Sequence, residues 1–182
     1  MNTTLLRNLG NKIILTALLA FSPAALVAQV IPGDIITSDL TLTANLDASG
    51  YAGSALRVGA NNITIDGAGF TITVNGNNSG FELYSRTGVT IKNATVVSSV
   101  AGQGRGINIS NSNSCIIQNN TFAGLSSAIY TGGTSRWNEF ISNDFSDATY
   151  IGYYGNNTNE QGSRFIDNDF TGAGNWALHV GG

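Results

Sequence analysis

A phrase of the form apolar-x-x-Asn-x-apolar returns along this chain at a nearly fixed interval. It stands at Ile117-Gln118-Asn119-Asn120-Thr121-Phe122, at Phe140-Ile141-Ser142-Asn143-Asp144-Phe145 and at Phe165-Ile166-Asp167-Asn168-Asp169-Phe170. Weaker copies begin at Ile91 and at Ile65. The closing apolar residues, Phe70, Val96, Phe122, Phe145 and Phe170, are 26, 26, 23 and 25 residues apart. A period of this length means one small structural unit repeated, because a single unit cannot bury its own apolar face and neighbours must stack to make a core.

Within the repeat, apolar residues alternate over short spans. Ile63 and Ile65, Val89 and Ile91, and Cys115 and Ile117 are copies of one strand. Leu56 and Val58, Phe81 and Leu83, Ile107 and Ile109, and Leu178 and Val180 are copies of a second. Alternation at period 2, bounded by Gly, Asn and Ser, marks half-buried strands, and no stretch carries a helical period. Short strands with no helix to cross over require a chain that winds in one direction, each strand lying parallel to its copy about 4.8 Å further along the axis. Asn120, Asn143 and Asn168 share one position of the coil. They are expected to adopt the left-handed backbone of a sharp turn and to stack as a hydrogen-bonded ladder.

The first 28 residues read as a secretory leader, with Arg7 and Lys12 ahead of the apolar run Ile13 to Phe21 and small residues up to Ala28. Cleavage after Ala24 is an alternative. The run is too short to span a bilayer, so no membrane span is expected once the leader is gone. Losing Arg7 and Lys12 leaves 6 basic against 11 acidic residues, a net charge of −5 without a basic face for nucleic acid. Cys115 is the single cysteine; its register points it inward, where it acts as a small hydrophobe. Residues 29–182 form the folded domain.

The Ile-x-x-Asn-x-Phe copies, together with Asn61-Asn62-Ile63-Thr64-Ile65-Asp66-Gly67-Ala68-Gly69, resemble the right-handed parallel β-helix proteins of the pectate-lyase-like kind. The resemblance covers roughly residues 30–182. It implies an all-β, right-handed parallel β-helix solenoid of about six coils. Because the chain stops in mid-coil at Gly182 with no capping segment, the expectation is a truncated piece of a longer protein, with self-association through the uncapped end as one way to cover it. The repeat also resembles the copper-associated β-helix proteins of the nitrous-oxide system. With one histidine, His179, and one methionine, the chain is nevertheless expected to use no cofactor.

Two sets of residues could carry function. Tyr150, Tyr153 and Tyr154 cluster in one segment that runs into a longer connection, Gly155 to Glu160; Trp176 follows a coil later and Trp137 lies nearby. Rings with polar tips can stack on sugar rings while amides bind hydroxyls. Asp144, Asp167 and Asp169 form the rival set: stacked carboxylates could serve glycoside chemistry or hold Ca²⁺. Charged residues in neighbouring coils, Arg57 with Glu82 and Glu139 with Arg164, read as cross-strand pairs on a solvated face.

The chain therefore reads as a secreted or periplasmic, non-catalytic β-helix scaffold that binds a polysaccharide or cell-surface glycan on its outer face through Tyr150, Tyr153, Tyr154 and Trp176. The alternative is a fragment of a polysaccharide lyase, hydrolase or epimerase, with Asp144, Asp167 and Asp169 as catalytic candidates and Ca²⁺ as its cofactor.

Overall fold

A computed structural model describes residues 29–156 and 161–181. The leader assigned to residues 1–28, residues 157–160 of the connection after Asn156, and Gly182 lie outside the described residues. The first coil holds β1 (Asp34–Ile36), β2 (Leu40–Thr41) and β3 (Leu46–Ala48); the second holds β4 (Leu56–Val58), β5 (Thr64–Asp66) and β6 (Thr71–Val74). The third holds β7 (Ser79–Tyr84), β8 (Thr90–Lys92) and β9 (Thr95–Ser98), and the fourth β10 (Arg105–Ser110), β11 (Ile116–Gln118) and β12 (Thr121–Ala123). The fifth holds β13 (Ser127–Gly132), β14 (Glu139–Ile141) and β15 (Asp144–Asp147). Then come β16 (Ile151–Asn156), β17 (Arg164–Ile166) and β18 (Trp176–Gly181).

Each strand pairs in parallel with its counterpart one coil on. The result is three sheets of seven, six and five strands running along the axis of an all-β solenoid of about six turns. Among the described residues there is no helix. Sheet 1 contains β1, β4, β7, β10, β13, β16 and β18; sheet 2 runs from β2 to β17; sheet 3 runs from β3 to β15.

The repeat becomes a core because equivalent residues stack. Leu56, Phe81, Ile107, Ile129 and Tyr153 are consecutive register partners on the inner side of sheet 1. Ile65, Ile91, Ile117, Phe140 and Phe165 do the same on sheet 2. On sheet 3 the rings of Phe122, Phe145 and Phe170 form a stack with centroids 5.5 and 4.7 Å apart. All of these but Phe165 and Phe170 are fully buried. Each buried ring removes 150–250 Å² or so of surface from water, so these columns dominate the folding energy.

The asparagine ladder forms, but the left-handed turn belongs to its neighbours. Nδ2 of Asn120 donates to Oδ1 of Asn143 at 3.1 Å, and Nδ2 of Asn143 donates to Oδ1 of Asn168 at 3.0 Å. The same oxygens accept the backbone N–H groups of Asn120 and Asn143, and the amides also donate to the carbonyls of Ile91, Ile117 and Phe140. Positive φ falls instead on Asn93, Asn119, Ser142 and Asp167, each one residue earlier. At residues 119, 142 and 167 the bend residue is exposed, and the asparagine after it turns inward to satisfy buried backbone groups.

The charge columns divide likewise. Arg164 Nη1 meets Glu139 Oε1 at 3.0 Å, as expected, and Lys92 Nζ meets Asp66 Oδ2 at 3.2 Å. Arg57 and Glu82 are register partners but form no ion pair, because Glu82 Oε2 accepts a hydrogen bond from Ser54 Oγ at 3.2 Å. Cys115 is fully buried, and burial pushes its thiol above its ordinary pKa.

Candidate functional site

Sheet 1 presents one outward column along the axis: Ile35, Arg57, Glu82, Asn108, Tyr130, Tyr154 and His179. Parallel, in-register pairing sets these side chains about one strand spacing apart. Its C-terminal half is aromatic. The rings of Tyr130 and Tyr154 are 5.4 Å apart and tilted by 34°, and those of Tyr154 and His179 stack at 4.9 Å and 24°. Trp176, on the same strand as His179, meets it edge-on at 5.5 Å.

Beside this row lies a hollow of about 210 Å³ lined by Arg105, Ser126, Ser127, Tyr130, Tyr150, Ile151 and Tyr154. The guanidinium of Arg105 sits over the ring of Tyr130, 4.3 Å from its centroid. Asn156 Nδ2 donates to the Tyr130 hydroxyl at 3.0 Å, fixing that ring from the other side. On the far side of Arg105 a second hollow opens, with Asn77, Gln103 and Ser126 in its wall. The arrangement offers the outer edges of a ring stack, the half-exposed rings of Tyr150 and Trp176, hydroxyls, amides and one cation along one parallel sheet.

Of the residues read from sequence as glycan-binding, Tyr150 and Tyr154 meet in this hollow and Trp176 joins the row through His179. Tyr150 and Trp176 are half exposed, at 50% and 51%. Tyr153 is the correction. It is fully buried, lies edge-on to Phe140 and Phe165, and its hydroxyl is 2.9 Å from Thr131 Oγ1. Alternation makes this unavoidable, since Tyr154 points out and its neighbour must point in.

Trp137 stands apart on the turn before β14. Its φ is 58°, a left-handed conformation that is uncommon for a bulky residue, and its indole covers Gly162 of the next coil so closely that a Cβ there would overlap it. Tyr130, Arg105, Asn108 and His179 were not read as site residues. A signal existed for two of them: Tyr130 precedes Tyr154 by 24 residues and His179 follows it by 25, one repeat each way.

Of the three aspartates, two stack in neighbouring coils as expected. Asp144 and Asp169 are bridge partners on sheet 3, and each binds the start of its own loop: Asp144 Oδ1 accepts the Ser146 N–H at 2.9 Å, Asp169 Oδ1 the Thr171 N–H at 2.8 Å. The Thr171 backbone N–H, with its side chain, holds the Asp169 carboxyl below its ordinary range. Asp167 is at the left-handed bend before them.

For metals, the donor set among the described residues is one buried thiol, one imidazole stacked on Tyr154, and scattered carboxylates. No three His, Cys, Asp or Glu side chains come together there. Copper sites draw on imidazole, thiolate and thioether groups held in one place. The residues present do not fit such a site. Among the described residues, moreover, no helix is long and apolar enough to cross a membrane.

No curated protein and no solved structure matches this chain. A family model does, and its description is "Periplasmic copper-binding protein (NosD)"; it aligns with residues 36–180, from the last residue of β1 to the last but one of β18. The expectation of a chain without a cofactor is overturned by that description, which names copper for the family, although the described side chains offer no copper site. The periplasmic placement agrees with the secreted or periplasmic location expected from the leader. By its repeat, its parallel solenoid and this match across nearly all of its coils, the chain belongs to the NosD family of periplasmic β-helix proteins.

Proposed function

We propose that this protein is a non-catalytic periplasmic scaffold that binds a polysaccharide or cell-surface glycan along the outer face of sheet 1. The observation that supports this reading is the row Tyr130, Tyr154 and His179, flanked by Trp176 and by the Arg105–Tyr150 hollow. Sugar rings present flat C–H faces, which gain most against exposed rings such as Tyr150 and Trp176, and rim hydroxyls, which pair with amides, serines and phenols along the edge of the stacked row. A parallel sheet repeats its side chains at a fixed spacing, so it suits a ligand that is itself a repeat. Asp144 and Asp169 each spend a carboxylate oxygen on the start of their own loop, through the Ser146 and Thr171 N–H groups, which suits a structural role for this pair.

The test is retention on a panel of immobilised polysaccharides by affinity electrophoresis. The parent chain is retained by at least one of them, and Tyr154→Ala with Trp176→Ala releases it. A chain retained by none, or retained equally after both changes, overturns the reading.

A further inference from the structure

The other half of the same column carries a different chemistry. A hollow of about 220 Å³ opens at the N-terminal end of sheet 1, walled by Arg57, Glu82, Tyr84 and Arg86, with Ile35 at its edge. Arg86 is half-buried and anchored: its Nε donates to the Val58 carbonyl at 2.9 Å, and its Nη groups have no acceptor among the described residues. Arg57 has no hydrogen bond or ion pair there, since its register neighbour Glu82 is bound to Ser54. Tyr84 and Ile35, both largely exposed, give the hollow apolar sides.

Charge is distributed unevenly over the molecule. The chain as a whole is acidic, yet the outer face of sheet 1 sets Arg57, Arg86 and Arg105 against Glu82 alone, while Asp144, Asp147, Asp167 and Asp169 lie on sheet 3 and its approach. Between the two hollows stands Asn108, the register partner of both Glu82 and Tyr130. From Arg57 on β4 to Tyr130 on β13 is three strand spacings, roughly 14 Å; to His179 on β18 it is five, roughly 24 Å.

We infer that the glycan bound by this face is acidic, with a sugar carboxylate held in the Arg57–Arg86 hollow while sugar rings further along the same chain pack along the outer edges of Tyr130, Tyr154 and His179 and against the half-exposed ring of Trp176. The inference rests on the glycan-binding reading above. A planar guanidinium matches a carboxylate through paired N–H donors, and a hollow with one surplus positive charge suits one carboxylate. Because the two ends are several strand spacings apart, a short fragment cannot reach both, and tight binding requires an oligomer.

The experiment is isothermal titration of the full chain with a glucuronic-acid polymer and with the same polymer after its carboxyls are reduced to alcohols. Arg57→Gln is the test variant, Tyr154→Ala the face control and Arg164→Gln the control on sheet 2. We expect Arg57→Gln to weaken the acidic polymer by roughly tenfold, the value of one charge-assisted pair, and to leave the reduced polymer unchanged. Tyr154→Ala weakens both, Arg164→Gln neither, and added salt weakens only the acidic polymer. Equal affinity for the two polymers, or an Arg57→Gln variant that binds the acid like the parent, overturns the acidic assignment and leaves the glycan reading standing. A sulfated glycan bound as tightly and with the same dependence on Arg57 overturns the carboxylate. Binding of neither polymer, with no effect of Tyr154→Ala on any glycan, overturns both.

Discussion

Gly106 on β10 leaves open the space that the ring of Phe122 on β12 fills: a Cβ at residue 106 would overlap Cδ1 of Phe122 and the carbonyl oxygen of Ala128. Sheets 1 and 3 can approach this closely only because the position is a glycine.

Gly106→Ala is therefore expected to destabilise the fold by roughly 2–3 kcal/mol through overpacking. Gly50→Ala, where an added Cβ meets nothing within 4 Å, should stay within about 0.5 kcal/mol of the parent. Urea unfolding midpoints of the two variants check this. Equal midpoints would show that the core yields at residue 106.

Asn143→Ala removes a carboxamide that links two coils. It strips the acceptor from the Asn120 N–H and side chain and the donor from the Ile117 carbonyl, all away from water. Orphaned buried groups cost about 1–3 kcal/mol each, less what water entry recovers, so a loss of about 3 kcal/mol is expected in thermal or urea unfolding.

Tyr153 and Tyr154 should behave oppositely. Tyr153→Phe loses the buried hydroxyl contact with Thr131, costs about 1 kcal/mol and leaves polysaccharide retention intact. Tyr153→Ala costs about 3–5 kcal/mol by emptying a core position. Tyr154→Ala leaves the melting temperature nearly unchanged and lowers retention.

Acid should weaken the solenoid partly through Asp66. Burial raises its carboxyl pKa, but hydrogen bonds from the Ala68 backbone and the Asn93 side chain, with Lys92 beside it, outweigh this and hold it below the ordinary value. A folded-state pKa below the unfolded one stabilises above the unfolded value, and that contribution is lost as pH falls through the folded one. Melting temperatures followed from about pH 5 to about pH 2 should therefore fall less steeply for Asp66→Asn than for the parent. A parallel fall in both would assign the acid response elsewhere.

Cys115 should resist alkylation in the folded state at mildly alkaline pH and react once the chain is unfolded in urea, because burial disfavours its thiolate. Rapid labelling of the native protein, read by intact mass, would contradict the buried placement.

Much of the scaffold was legible in the primary structure. The spacing of Phe122, Phe145 and Phe170 and the alternation at Ile63 and Ile65 led to stacked parallel strands, and the pairing of Glu139 with Arg164 followed from the register alone. The aromatic face was only partly legible. Tyr150, Tyr154 and Trp176 stood out as a local cluster, but Tyr130 lies one coil and Arg105 two coils before Tyr154, and nothing in a linear segment shows that a coil is one strand spacing wide.

What the sequence by itself determined is periodicity: which residues are equivalent, which alternate inward, and hence a core of stacked coils; that it has three sides came from the structure. Tertiary structure decided what periodicity leaves degenerate. It chose Ser54 over Arg57 as the partner of Glu82, placed the left-handed bend one residue before the asparagine ladder, and turned Tyr153 inward beside an outward Tyr154. The physical reason is that equivalence along a repeat follows from chain spacing, whereas hydrogen-bond choice and side-chain direction depend on distances of a few ångströms across coils, which exist only once the coils have stacked.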